Sequence, residues 1–132
     1  MNPISVLIAD DNPTFLRIVA RFLEEQSRET VSVVATARGG EEALIQAEAL
    51  RPQVVLIDLK MPGLSGLEAI PRLRRALPDA RIIAVTLLDT DAYRQAALAA
   101  GADDFVPKTT LNAELLPAIR RVAFATRTRS DA

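Results

Sequence analysis

The chain contains neither cysteine nor histidine. The first absence excludes disulfides, zinc–thiolate sites and cysteine nucleophiles. The second excludes Ser-His-Asp triads, histidine metal ligands and any phosphohistidine formed on this chain. Long hydrophobic runs are missing too: no stretch approaches the ~20 apolar residues that a membrane span requires. The first apolar run, Ile4 to Ala9, ends in two aspartates and does not read as a signal peptide. A soluble, cytoplasmic protein is therefore expected. Net charge is only −1, so bulk charge gives no attraction for nucleic acid or an anionic membrane. The 132 residues are 49% hydrophobic, enough for one domain with a real core and too apolar for a disordered chain.

Strand-like runs alternate with amphipathic stretches along the whole chain. Ile4–Ala9 reads as a strand, and Asn12-Pro13 opens a helix with Asn12 as cap and Pro13 at its first position. Phe15, Ile18, Val19, Phe22 and Leu23 continue it at helical spacing. Further strands are predicted at Val31–Ala37, Val54–Asp58, Arg81–Thr86 and around Phe105-Val106. Further helices are predicted at Glu41–Leu50, Gly66–Leu77, Asp91–Ala100 and from Leu111 to about Ala125. Residues 126–132 read as a short polar tail, leaving 1–125 as the domain. Pro71 and Pro117 fall inside predicted helices, either within the first turn and a half or as kinks.

Five β-α units of about 25 residues each predict an α/β fold, a doubly wound parallel sheet in one domain. Right-handed crossovers leave few strand orders, and the flavodoxin-like (βα)5 order 2-1-3-4-5 is common at this size. That order sets the first and third strands side by side at the switch point, and so gathers Asp10, Asp11 and Asp58. Like charges about 4 Å apart repel by roughly 4 kcal/mol at an effective dielectric of ~20, so such a trio calls for a cation. Hard oxygen ligands with few protein contacts favour Mg²⁺. Thr86 ends the fourth strand and Lys108 follows the fifth. A central Asp, two further acids, a hydroxyl and a lysine at successive strand ends suit a phosphoryl group. Asp58 would be the nucleophile, Mg²⁺ and Lys108 would neutralise phosphoryl oxygens, and Thr86 would hydrogen-bond a third.

The sequence resembles the receiver domain of bacterial two-component response regulators. The resemblance rests on Ala9-Asp10-Asp11, on Val55 to Gly66 around Asp58 and Met61-Pro62-Gly63, on Val85-Thr86, and on Ala100 to Lys108, in order and at family spacing. It covers the chain to about Val122. By position it implies that Asp58 is the phosphoacceptor, taking phosphoryl from a phosphohistidine on a sensor histidine kinase or phosphotransfer protein. Asp11 is implied as a direct metal ligand, Asp10 as a mainly water-mediated one, and the backbone carbonyl of Lys60 as a further ligand. Thr86 is the implied switch hydroxyl and Phe105 the switch aromatic, reshaping the face made by the fourth helix, fifth strand and fifth helix. The protein is then a signalling switch that catalyses its own phosphoryl transfer and autodephosphorylation, not an enzyme acting on other substrates.

Several positions depart from the family pattern. Leu87 is bulkier than the usual residue after the switch hydroxyl, and Lys60 is cationic at a position that affects phosphoryl lifetime; slow self-dephosphorylation is expected. Thr109, not proline, follows Lys108, which leaves the isomer of that peptide open. The pattern from Met61 to Asp103 is most similar to receivers of LuxR-type or NarL-type regulators. A stand-alone receiver and a receiver cut from a longer regulator both stay open. The output would accordingly be a downstream protein, a fused DNA-binding domain or a homodimer.

Two other classes compete. One is a phosphorylation-independent interaction module on the same fold. The other is a phosphatase of the haloacid dehalogenase type, which expects an acid where Lys60 stands. Arg72, Arg74, Arg75 and Arg81, with Arg120 and Arg121, read as solvated faces rather than a nucleic-acid surface.

Overall fold

The computed structural model describes residues 2–125, so the predicted tail at 126–132 lies outside the described residues. The strands are β1 (Ile4–Ala9), β2 (Val31–Ala37), β3 (Val54–Ile57), β4 (Arg81–Thr86) and β5 (Asp104–Pro107). They alternate with α1 (Pro13–Ser27), α2 (Gly40–Leu50), α3 (Gly66–Ala76), α4 (Asp91–Ala100) and α5 (Leu111–Phe124). All pairings are parallel, and the order is β2-β1-β3-β4-β5. This is the predicted flavodoxin-like fold in a single domain.

The sheet is buried on both faces because its strands alternate between two cores. Leu7, Val55, Ile57, Ile82, Ala84 and Phe105 face α2, α3 and α4, meeting Ala43, Ala47, Ile70, Leu73 and Ala97. Val6, Ile8, Leu56, Ile83, Val85 and Val106 face α1 and α5, meeting Leu16, Val19, Leu23, Leu115 and Ile119. All four residues of β3 are buried, which is why the run Val54–Ile57 carries no polar alternation. Among the described residues no helix is long and apolar enough to cross a membrane.

Boundaries differ from the sequence reading in small, explicable ways. β3 stops at Ile57, one residue before Asp58, although the Asp58 amide still donates to Ala9 O at 3.0 Å. α3 stops at Ala76, with Leu77 as its cap, and a single 3-10 turn over Lys108–Thr110 precedes α5. The Lys108–Thr109 peptide is trans. Pro71 and Pro117 lie well inside α3 and α5, which continue through them. Each removes one backbone donor, and the buried stripes on both sides of it hold the helix against the sheet. A capping box formed by Ser65 and Glu68 starts α3.

Candidate functional site

Ala9 pairs with Ile57 at the last rung between β1 and β3. The chain leaves both strands there, so Asp10 and Asp58 emerge side by side at the C-terminal edge of the sheet, the switch point of this topology. Asp10 and Asp58 are buried and Asp11 is exposed. One carboxylate oxygen from each of the three lies within 4.8 Å of the others.

Lys108 enters from the far side of the sheet. Thr86 pairs with Pro107, so the lysine is the first residue past β5. Its Nζ lies 2.6 Å from Asp10 Oδ2 and donates to Asp58 Oδ2 at 3.1 Å. The Asp10 contact is short but badly aligned, and that oxygen is otherwise without a hydrogen-bond donor. Burial raises the Asp10 carboxyl above the ordinary carboxylate range, the charge on Asp58 adds to this, and Lys108 and the Asn12 amide only partly offset it. Burial pulls the Lys108 ammonium the other way, but its hydrogen bonds and the two carboxylate charges prevail and hold it above the usual lysine range. The crowded carboxylate charge pushes both groups upward, whereas burial raises Asp10 and opposes the rise of Lys108.

The residues fit a small divalent cation. Three hard carboxylate donors converge, and one buried oxygen lacks an aligned donor. The site's remaining members are less tightly gathered. The Lys60 amide is 3.4 Å from Asp58 Oδ1 while its side chain is exposed. Thr86 is buried, and its Oγ1 accepts from the Leu88 amide at 3.2 Å, leaving its O–H free to donate. Leu87 is 68% exposed, so most of its side chain is not packed over the site. Phe105 is only 3% exposed and packs in the core under α4, where the Arg94 guanidinium lies 4.6 Å from its ring centre.

Two features of the site were not legible at the sequence level. The Phe15 ring lies 4.1 Å from Lys108 Nζ, although its spacing marked it only as a core residue of α1. Gly66 starts α3 so close to the acidic loop that a Cβ there would sit 1.8 Å from the Asp58 carbonyl oxygen. The expectation of solvated arginines holds for Arg72, Arg75, Arg120 and Arg121, which are exposed, and needs correction at the half-buried Arg74 and Arg81. Arg74 donates to Pro78 O, Ala80 O and Gly101 O and pairs with Asp103 at 2.6 Å. Arg81 donates to Ala125 O, Arg120 to Ser27 Oγ and Arg121 to Asp104.

This sheet order, with acids on two adjacent strand ends and a lysine past the last strand, defines a receiver domain. The chain belongs to the response regulator receiver domain family, which matches residues 6–120. It is 40% identical over 119 residues to Response regulator GacA of Pseudomonas protegens, covering 90% of this chain and 55% of that protein. The chain thus spans about half the length of the curated relatives it matches. A two-component response regulator of the LuxR family from Aurantimonas sp. SI85-9A1 superposes with a TM-score of 0.86 at 31% identity, covering 92% of this chain and 85% of that one. The response regulator domain of Thermotoga maritima CheB gives 0.85 at 30% identity, covering 95% and 99%.

Proposed function

We propose that this receiver domain is a phosphoacceptor switch in which Asp58 takes a phosphoryl group from the phosphohistidine of a sensor histidine kinase or phosphotransfer protein. One observation carries the reading: Lys108 Nζ donates to Asp58 at 3.1 Å on the strand edge where Asp10, Asp11 and Asp58 converge within 4.8 Å. An Asp58 carboxylate oxygen attacks phosphorus while the donor's nitrogen–phosphorus bond breaks and its imidazole departs. Lys108 follows the phosphoryl oxygens as charge builds on them, and the free O–H of Thr86 donates to another. Asp11, Asp10, Asp58 and the Lys60 carbonyl would hold Mg²⁺, which when bound neutralises charge on the transferring group.

The chain acts as a switch, not as an enzyme on other substrates. Movement of Thr86 toward the phosphoryl group frees space beside Phe105, whose ring is already inward and is held there more firmly, and the face of α4, β5 and α5 changes with it. That face would meet a downstream protein, a DNA-binding domain on the same polypeptide or a second copy, in the cytoplasm. Leu87 stands too exposed to shield the site, so slow self-dephosphorylation rests on the cationic Lys60 beside it.

Beryllofluoride with Mg²⁺, a phosphoryl mimic, tests this. Amide shifts should move around Asp58, Thr86 and Phe105, and the melting temperature should rise. A ligand at 100 times its Kd that binds only the folded state adds about 2.7 kcal/mol. No response from the wild type, with Asp58→Asn behaving identically, sinks the reading. The rival, a phosphorylation-independent module, draws on Phe105 being already buried in the unmodified chain. A partner retained equally by wild type and Asp58→Ala would favour it.

A further inference from the structure

We infer that the Phe15 ring is a positioning element for the Lys108 ammonium, an uncharged restraint that outlasts the ion pairs on the same group. This rests on the Asp58 phosphoacceptor reading. Lys108 Nζ lies 4.1 Å from the Phe15 ring centre while it also reaches Asp10 at 2.6 Å and Asp58 at 3.1 Å. An aromatic face attracts a cation through its quadrupole, most strongly where water is excluded. The Lys108 side chain is 12% exposed, so water is largely excluded here.

The ring is held in place by the same residues that form the acidic site. Asp10 Oδ1 accepts from the Asn12 amide at 2.9 Å. The Asn12 carboxamide then caps α1, accepting from Thr14 N at 3.0 Å and Phe15 N at 3.1 Å. Phe15 packs on the core between α1 and α5, half-buried. Metal ligand, helix cap and ring are thus one connected unit in the first turn of α1.

The carboxylates cannot restrain Lys108 throughout the reaction. Phosphorylation turns one Asp58 oxygen into the bridging oxygen of an acyl phosphate, and a bound cation competes for Asp10. The ring takes part in neither event. It keeps Nζ close to the position a phosphoryl oxygen will occupy, on a side chain that is otherwise a flexible four-carbon stem.

The test uses the full chain, phosphoramidate as a small donor so that recognition of a protein donor does not enter, and wild type, Phe15→Leu and Phe15→Tyr. Leucine keeps apolar bulk and removes the quadrupole; tyrosine keeps both. The saturating rate should fall about tenfold in Phe15→Leu, equal to ~1.4 kcal/mol, with the half-saturating donor concentration little changed. Phe15→Tyr should return the rate to within about twofold of wild type, since its ring face is retained. In the wild type and Phe15→Tyr, the Lys108 Hε protons should resonate upfield from the ring current, and in Phe15→Leu they should not. A wild-type rate in Phe15→Leu overturns the proposal, as does the absence of the upfield shift in the wild type, which holds even should Phe15→Leu fail to fold. A wild type inert to phosphoramidate and to beryllofluoride overturns instead the Asp58 reading beneath it.

Discussion

Lys108 Nζ and Asp10 Oδ2 lie 2.6 Å apart within a cluster of three carboxylates that could hold a metal ion, and the lysine supplies positive charge there. Asp10 and Asp58 are both buried, and Lys108 is the cation they share. Stranding a buried carboxylate costs about 3–5 kcal/mol, and the partial exposure of this site favours the lower end. Lys108→Met should therefore lose about 3 kcal/mol in urea denaturation without metal. Added Mg²⁺ should restore more stability to this variant than it adds to the wild type. An equal Mg²⁺ effect in both would show that lysine and cation do not compete for the same charge.

The same pair sets a pH dependence with a definite sign. The folded-state pKa of Asp10 is raised above 3.8, first by burial. The folded state thus holds that proton more tightly than the unfolded chain does. Its contribution is favourable at low pH and is lost as pH rises from 3.8 through the raised value. Lys108 is raised above 10.5, so its contribution persists up to that pH and is lost as pH climbs through the higher folded value. Asp10→Asn should then make the metal-free protein more stable at neutral pH, remove the Asp10 part of the low-pH slope and shrink the alkaline one. Thermal melts across pH check this, and a neutral-pH loss of stability in Asp10→Asn would contradict it.

Gly66 and Gly63 separate close approach from backbone conformation in one loop. A Cβ at Gly66 would lie 1.8 Å from Asp58 O and 2.9 Å from Leu59 Cα, both backbone atoms that cannot swing away. Gly63 has φ +76 with nothing within 4 Å of its Cβ position. Gly66→Ala should cost about 3 kcal/mol, the upper range for overpacking, and weaken the beryllofluoride response by displacing Asp58. Gly63→Ala should cost about 1 kcal/mol, the left-handed backbone penalty alone, and leave the response intact. A loss in Gly66→Ala no larger than that in Gly63→Ala would mean that the backbone around Asp58 relaxes to admit the Cβ.

What the sequence disclosed follows from how local its signals are. Val54–Ile57 reads as a fully buried strand because all four residues are apolar, and the carboxylate that follows must then stand at a sheet edge. The strand order carries the rest, because it sets Asp10 beside Asp58 and Lys108 across from them. Long-range side-chain reach was not legible. Periodicity assigns Arg74 to an open face, yet its stem reaches Asp103, 29 residues away, and the Gly101 carbonyl. Phe15 likewise carries the spacing of a core residue, and nothing local shows that the capped first turn of α1 aims it at Lys108. Pro71 and Pro117 would each cost up to ~3 kcal/mol in a helix interior. Both helices nonetheless run through them, since buried Ala69, Ile70 and Leu73 in α3 and Leu115, Ala118 and Ile119 in α5 anchor both sides.

Arg94 bears on the proposed switch. Its guanidinium lies 4.6 Å from the centre of the Phe105 ring, which is buried in the core against α4. A cation over an aromatic face is worth about 0.5–2 kcal/mol, and at ~1 kcal/mol it changes a two-state ratio about fivefold. Arg94 therefore favours the inward ring before any phosphoryl group arrives, and the gap left for phosphorylation to close is correspondingly small. Arg94→Ala should shift Phe105 toward solvent in the unmodified protein, and beryllofluoride with Mg²⁺ should draw it back. The chain has four phenylalanines, so 4-fluorophenylalanine labelling gives a readable set of fluorine resonances. The Phe105 signal should move in Arg94→Ala and return with the mimic, so that the variant shows a larger switching amplitude than the wild type. If that signal stays at its wild-type position, packing alone holds the ring, and Arg94 has no part in the equilibrium.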